Sequence, residues 1–132
     1  METIRFKEFG ILVDSERTRE FYKHQNNILE DCSCSDCDYF YNTFSKLPFS
    51  VYKFLSLSGV DLQKNLASEP TGVQCAVENN NLIFCDQDCL FFGKLPKEEL
   101  EFTYIESNLN FKVYFYHISD YEIKVQINLS TN

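Results

Sequence analysis

The last part of the chain decides the fold, and residues 109–129 read LNFKVYFYHISDYEIKVQINL. Apolar and polar residues alternate here with a period of two, as they do in a strand whose successive side chains point to opposite faces. About three residues around Ser119 separate two such runs, which is a hairpin length. The stretch therefore predicts two antiparallel strands with one apolar face and one polar face.

Further strands are predicted by working outward from this hairpin. Residues 100–104 alternate in the same way, and GVQCAVEN at 72–79 predicts an earlier strand. LIFC and CLFFG predict two short strands on either side of a turn at Asp86-Gln87-Asp88. Residues 3–13 alternate well enough for one N-terminal strand.

Helical periodicity is found only in the first half of the chain. The pattern predicts a helix over residues 15–29, capped by Asp14 or Ser15, and a second helix from near Ser35 to Leu47. A third follows Pro48 and ends at Gly59. Helices first and strands afterwards predict one α+β domain over residues 1–132. It has an N-terminal strand, three short helices and an antiparallel sheet of five to six strands in total.

The apolar stripes of these elements predict the hydrophobic core. Its expected members are Phe40, Phe44, Phe54, Phe102, Phe111, Val113, Phe115, Ile123, Val125 and Ile127.

Composition excludes several classes of function. The chain has 132 residues, is 44% hydrophobic and 16% aromatic, and carries a formal net charge of −8. Such an acidic chain is repelled by a phosphate backbone and by an anionic lipid surface, so we expect neither direct nucleic-acid binding nor membrane binding. The charged N-terminal sequence lacks the apolar core of a signal peptide, which predicts a cytoplasmic protein.

A cysteine cluster, Cys32-Ser-Cys34-Ser-Asp-Cys37, is the one motif with chemical promise. A structural zinc site takes four nitrogen or sulfur ligands, and this spacing supplies three thiolates from one turn. The fourth ligand would come from elsewhere, and the candidates are His24, Cys75, Cys85 and Cys89. Cys85 and Cys89 could also meet each other across a hairpin.

Three other interpretations of the cysteines stay open. Cys37 and Cys75 fit apolar stripes, and free cysteines are often simply buried. A disulfide or redox role is a further alternative. A reactive thiolate needs nearby positive charge, whereas Asp36 and Asp38 flank Cys37.

No other catalytic motif is present in the sequence, so we expect no enzyme. The rival hypothesis is a metal- or thiol-dependent enzyme that uses the same cluster.

Residues 19–61 resemble a family of small uncharacterised bacterial proteins. The resemblance is carried by an aromatic pair, a C-x-C-x-x-C run followed by aromatics, and an L-G-hydrophobic-D turn: Phe21-Tyr22, Cys32 to Tyr41, and Leu57-Ser58-Gly59-Val60-Asp61. Ser58 is inserted between the leucine and the glycine of that turn. The resemblance implies no particular activity. It implies an association with toxin or defence systems, and hence the binding of a partner protein.

The sequence thus predicts a small acidic protein-binding module of the immunity or inhibitor type. Its partner would carry a basic surface, because complementary charge accelerates association. A mimic of nucleic acid is the remaining alternative, and it requires a continuous acidic stripe. Residues expected to contact the partner are acids in two loops and exposed tyrosines opposite the core stripes: Asp36, Asp38, Tyr39, Asp86, Asp88, Tyr114 and Tyr116.

Overall fold

A computed structural model describes residues 1–25, 48–62, 74–78, 81–106 and 109–131 of the chain. The strands in these ranges are β1 (Glu2–Phe6), β2 (Phe9–Val13), β3 (Gln74–Glu78), β4 (Asn81–Lys94), β5 (Glu99–Glu106), β6 (Leu109–Ser119) and β7 (Glu122–Thr131). The helices are α1 (Ser15–Lys23) and α2 (Phe49–Leu57).

The predicted α+β arrangement, with three short helices and five to six strands, is wrong. The described residues are mostly β-structure, and only two helices accompany the strands there. Six strands follow the order β1-β2-β4-β7-β6-β5, and β3 pairs with β4 beside that path. Every strand pair in these ranges is antiparallel. The predicted helix from Ser35 to Leu47 lies outside the described residues.

The N-terminal strand of the prediction is in fact the hairpin β1–β2. Phe6 pairs with Phe9, so Lys7 and Glu8 form a two-residue turn, and Lys7 has a φ of 52°. Two-residue hairpin turns need positive φ and usually show glycine or asparagine there. A lysine carries no such signal, which is why the alternation looked like one strand.

The predicted turn at Asp86-Gln87-Asp88 is also wrong. β4 runs through these residues and pairs with β7 without a break from Phe84 to Phe92. Aspartate is depleted in strands, which favoured a turn. Here Lys124 of β7 lies 3.3 Å from Asp88 and compensates its charge, so the strand continues.

Helix α1 lies beside β4 and takes the place of a neighbouring strand. β3 pairs with β4 up to Asp86 and β2 pairs from Gly93, which leaves an edge of β4 between them. The hydroxyl of Tyr22 donates to the carbonyl oxygen of Leu90 at 2.8 Å and accepts from its N–H at 2.9 Å. The hydroxyl of Thr18 accepts from the N–H of Phe92 at 3.1 Å. The side chains of α1 thereby satisfy backbone groups that a strand would otherwise pair.

The core lies between the apolar face of the sheet, the β1–β2 hairpin and α2. Phe102, Phe111, Val113, Phe115, Ile123, Val125, Ile127 and Phe54 are buried as predicted, whereas Phe40 and Phe44 lie outside the described residues. The centre is aromatic: Phe6 lies 4.8 Å from Phe102 and 5.3 Å from Phe54, measured between ring centroids. These tilted and edge-on contacts suit the charge distribution of aromatic rings.

The described helices begin where the sequence pattern places caps, but α1 ends at Lys23 and not at the predicted Leu29. Asp14 accepts a hydrogen bond from the N–H of Arg17 at the start of α1, and α2 begins after Pro48. Gly59 follows α2 with a φ of 92°, and Val60 and Gly59 donate back to Leu55 and Ser56. This is a Schellman ending, in which glycine adopts the left-handed conformation without strain. Neither of these helices has the length and apolar character that a bilayer crossing requires.

Candidate functional site

The candidate site is the polar face that β4, β7, β6 and β5 present on the side opposite the core, called the outer face below. Because side chains alternate along a strand, the residues between the buried ones share this face. Its described members are Asp86, Asp88, Glu99, Glu101, Thr103, Asn110, Lys112, Tyr114, Tyr116, Glu122, Lys124, Gln126, Asn128 and Ser130.

The strand register brings the predicted partner-binding residues of β4 and β6 onto this one surface. Asp88 is opposite Gln126, which is opposite Tyr114, which is opposite Glu101. The adjacent row contains Lys124, Tyr116 and Glu99. Both rows run across the strands, so residues far apart in the sequence become neighbours on a single face.

An ion pair joins the outer-face side chains of β4 and β7. Lys124 Nζ lies 3.3 Å from Asp88 Oδ2, and the two side chains are 28% and 22% exposed. Partial burial lowers the pKa of the Lys124 ammonium, but the charge of Asp88 and contacts with Asp88 and Tyr116 outweigh it. The net pKa of Lys124 is therefore raised. Lys124 stays protonated and is committed to neutralising Asp88.

Two other groups on the outer face have perturbed acidity. Partial burial, with a smaller contribution from the charge of Asp88, raises the pKa of the Asp86 carboxyl. The charge of Glu101, together with partial burial and a hydrogen bond to Glu101, raises the pKa of the Tyr114 phenol. Tyr114 is therefore a neutral hydrogen-bond donor held by Glu101 at neutral pH.

Apart from Glu122 at the start of β7, the acids of the outer face fall into two groups at its two sides. Asp86 and Asp88 lie on β4, whereas Glu99 and Glu101 lie on β5, and β7 and β6 run between them. Neighbouring strands are about 4.8 Å apart, so about 14 Å separates the two groups across the sheet. Lys112 and Lys124 project from the intervening strands. Among the described side chains the acidic surface is therefore interrupted, not a continuous stripe.

The structure places only part of the predicted contact set. Asp86, Asp88, Tyr114 and Tyr116 are all partly exposed, although the aspartates lie within a strand and not in a turn. Asp36, Asp38 and Tyr39 lie outside the described residues. Sequence reasoning missed Glu99 and Glu101 as part of the site. The alternation in ELEFTYIE could have placed them opposite Leu100 and Phe102, but their position beside the tyrosines needed the β5–β6 register.

The cysteine cluster of the sequence, Cys32, Cys34 and Cys37, lies outside the described residues, and the zinc site stays a prediction. Of the candidate fourth ligands, Cys89 is 3% exposed within the core. Burial, with a smaller contribution from Asp88, raises the pKa of its thiol. His24 is exposed, with its Nε2 2.9 Å from Glu20 Oε1. No group of three or more His, Cys, Asp or Glu in the described ranges could hold a metal ion.

The structure does not bring Cys85 and Cys89 together across a hairpin, which was one of the alternatives left open by the sequence. Both residues lie on β4, and four residues of a strand span about 13 Å, well beyond the roughly 7 Å limit between the Cα atoms of a disulfide. The β3–β4 register instead pairs the backbone of Cys85 with that of Cys75.

His117 has a structural role at the end of β6. Its Nδ1 lies 3.2 Å from the carbonyl oxygen of Glu98, and its Nε2 accepts from the N–H of Leu95 at 3.3 Å. The ring thus joins β6 to the connection between β4 and β5, and the neutral tautomer with a proton on Nδ1 satisfies both bonds.

Comparisons with known proteins give no information on the outer face. No protein-family model, curated protein or solved structure matches this chain.

Proposed function

We propose that this chain is a protein-binding module whose outer face engages a basic surface of a partner protein. The observation that carries the proposal is the alignment of Asp88, Tyr114 and Glu101 in one row that crosses four strands of a partly exposed face. Tyrosines supply large contact area at little cost in side-chain entropy, and carboxylates attract a cationic partner from a distance.

The net charge of −8 supports a role in electrostatic capture. A basic partner is steered toward an acidic protein, and the rate of association then falls steeply as salt is added. We place the module in the cytoplasm and assign it the immunity or inhibitor type. In that role it acts by covering a surface of its partner and performs no reaction itself. A structural zinc at Cys32, Cys34 and Cys37 is compatible with this role.

The interrupted distribution of acids favours a protein partner over mimicry of nucleic acid. A mimic needs regularly spaced negative charge, whereas Lys112 and Lys124 lie between the acidic pairs of β4 and β5. A protein surface with mixed charge and one basic region fits this arrangement better.

The test begins with capture of binding proteins from the native cell on the immobilised full chain. Each captured protein is then purified, and its association rate is measured with wild type and with Glu99→Lys/Glu101→Lys. Asp88 is a poor position for charge reversal, because a lysine there would face Lys124. The control, Glu8→Lys/Glu16→Lys, makes the same change in charge at exposed positions that do not belong to the outer face.

We expect the outer-face variant to associate about tenfold more slowly at low salt, and the control to lose much less. An association rate that changes neither with the charge reversal nor with the salt concentration would contradict electrostatic capture. Recovery of no protein that binds the purified chain would contradict the binding function itself.

A further inference from the structure

The outer face contains a notch between β5 and β6, lined by Glu99, Glu101, Tyr114, Tyr116 and Gln126. The notch has a volume of about 230 Å³. One water molecule occupies about 30 Å³ of liquid, so the notch has room for several waters or for the end of one long side chain. Leu100 and Phe115, which alternate with these residues along the strands, are buried in the core beneath it.

The register arranges the walls of the notch as two facing pairs. Glu99 is the Cα partner of Tyr116, and Glu101 is the partner of Tyr114. Cross-strand partners have Cβ atoms about 5 Å apart, so each carboxylate lies next to a phenol ring. Both glutamates are exposed, and both tyrosines are partly exposed. A ligand can therefore contact carboxylate oxygens and an aromatic surface at the same time.

The lysine next to the notch is already engaged. Lys124 pairs with Asp88 at 3.3 Å and also contacts Tyr116. On the core side of the sheet, Lys97 lies over the ring of Phe9, and Lys7 lies over the ring of Tyr104 at 4.3 Å. No salt bridge joins Glu99 or Glu101 to a cation within the described parts of the chain. Glu101 does bond to Tyr114, and this contact holds the carboxylate beside the ring.

We propose that this notch receives the guanidinium of an arginine side chain from the partner protein. A guanidinium is flat, donates two parallel hydrogen bonds to a carboxylate and stacks on an aromatic ring. An ammonium has the same charge but is compact and strongly hydrated, so it gains less from Tyr116. This inference rests on the proposed function and deepens it, because it names the side chain that anchors the basic partner.

The test measures binding of fluorescein-labelled tetra-arginine and tetra-lysine peptides to the full chain by fluorescence anisotropy. Amide chemical shifts from NMR locate the binding surface. The variants are Glu101→Gln and Tyr116→Leu. The matched control is Glu8→Gln, which removes one exposed carboxylate from the turn between β1 and β2. Amide spectra of the free variants confirm that each one is folded.

We expect tetra-arginine to bind about fivefold more tightly than tetra-lysine, with shifts centred on β5 and β6. Glu101→Gln should weaken the binding of tetra-arginine about fivefold, and Glu8→Gln should change this affinity less than twofold. Tyr116→Leu should abolish the preference for arginine. Equal affinity for the two peptides, equal effects of the two glutamine variants, shifts centred on another surface, or no binding would each overturn the proposal.

The two proposals can fail separately. If binding of a captured partner depends on outer-face charge but the chain binds tetra-arginine and tetra-lysine equally, the arginine proposal is wrong and the proposed binding function stands. If the chain prefers tetra-arginine as expected but no captured partner depends on the outer face for binding, the arginine proposal stands and the proposed function is wrong.

Discussion

Two aspartates of β4, two residues apart on the same face, differ in their environments. Asp88 pairs with Lys124, whereas partial burial and the nearby charge of Asp88 raise the pKa of Asp86. For Asp88 the negative charge is matched by a neighbouring cation. For Asp86 the same charge is unfavourable in the folded protein, because its folded pKa lies above the unfolded value.

Neutral replacements at these two positions should therefore have opposite effects at pH 7. Asp88→Asn removes the partner of Lys124 and should lower the free energy of unfolding by up to about 1 kcal/mol. Asp86→Asn removes an unfavourable charge and should raise it by roughly a few tenths of a kcal/mol, because solvent screens this partly exposed group. Urea denaturation measures both changes.

The benefit of Asp86→Asn should depend on pH. Above the folded pKa of Asp86 the full penalty is present in the wild type. The penalty is lost as the pH falls through that value and then through the unfolded value of about 3.9, because well below both values the carboxyl is neutral in both states. At about pH 3 the variant and the wild type should have equal stability. A benefit that persisted there would contradict the electrostatic cause.

At the scale of elements, the association of α1 with β4 is the least expected arrangement. Leu90 and Phe92 belong to an apolar run that is buried on both of its faces, since Phe91 is in the core and α1 covers the other side. Such a strand has an open edge between β3 and β2, where unpaired backbone groups would be costly. Tyr22 and Thr18 meet this need with hydroxyls, so an amphipathic helix completes the sheet.

Tyr22→Phe should therefore destabilise the protein although it removes a single oxygen. The N–H and carbonyl of Leu90 would lose their partner inside the protein, and the expected cost is about 1–3 kcal/mol in urea denaturation. Tyr104→Phe is the matched control, because its hydroxyl accepts only an exposed 3.3 Å bond from Ser50 among the contacts described. Equal losses in the two variants would contradict the edge-capping role of Tyr22.

At the scale of the whole molecule, the N-terminal hairpin joins the main sheet through a short ladder. Leu12 and Val13 pair with Lys94 and Gly93, and beyond this ladder the hairpin packs through side chains such as Phe6 and Phe9. A Cβ atom on Gly93 would overlap the carbonyl oxygen of Leu12. The close approach of the two backbones therefore requires glycine at this position.

Gly93→Ala should lower the free energy of unfolding by about 1–3 kcal/mol or more, because backbone must move to admit the methyl group. The control is Gly10→Ala, in β2 of the N-terminal hairpin. There the new Cβ would meet only the side-chain Cγ2 of Thr3 at 3.1 Å. That side chain can shift, so we expect a change of less than about 1 kcal/mol. Thermal unfolding of both variants measures the difference. Equal shifts would show that the docking of the hairpin tolerates the extra atom.

Patterns with strong local periodicity predicted individual elements well. The alternation along β6 and β7 identified their buried residues, and Gly59 was correctly expected to end α2. The turn at Lys7 and the unbroken strand at Asp86–Asp88 were missed because their causes are not local. A positive φ at a lysine leaves no mark in the sequence, and the cation that stabilises Asp88 comes from a strand more than thirty residues later.

The sequence by itself determined the acidic character of the protein, the strands near its end and the residues that form the apolar side of the sheet. These follow from composition and from a two-residue period, which any chain segment carries within itself. Tertiary structure alone decided that Tyr22 completes the edge of β4 and that Glu101, Tyr114 and Asp88 share one surface. Register and strand order are set by long-range packing, and the candidate site exists only after that packing has brought distant residues together.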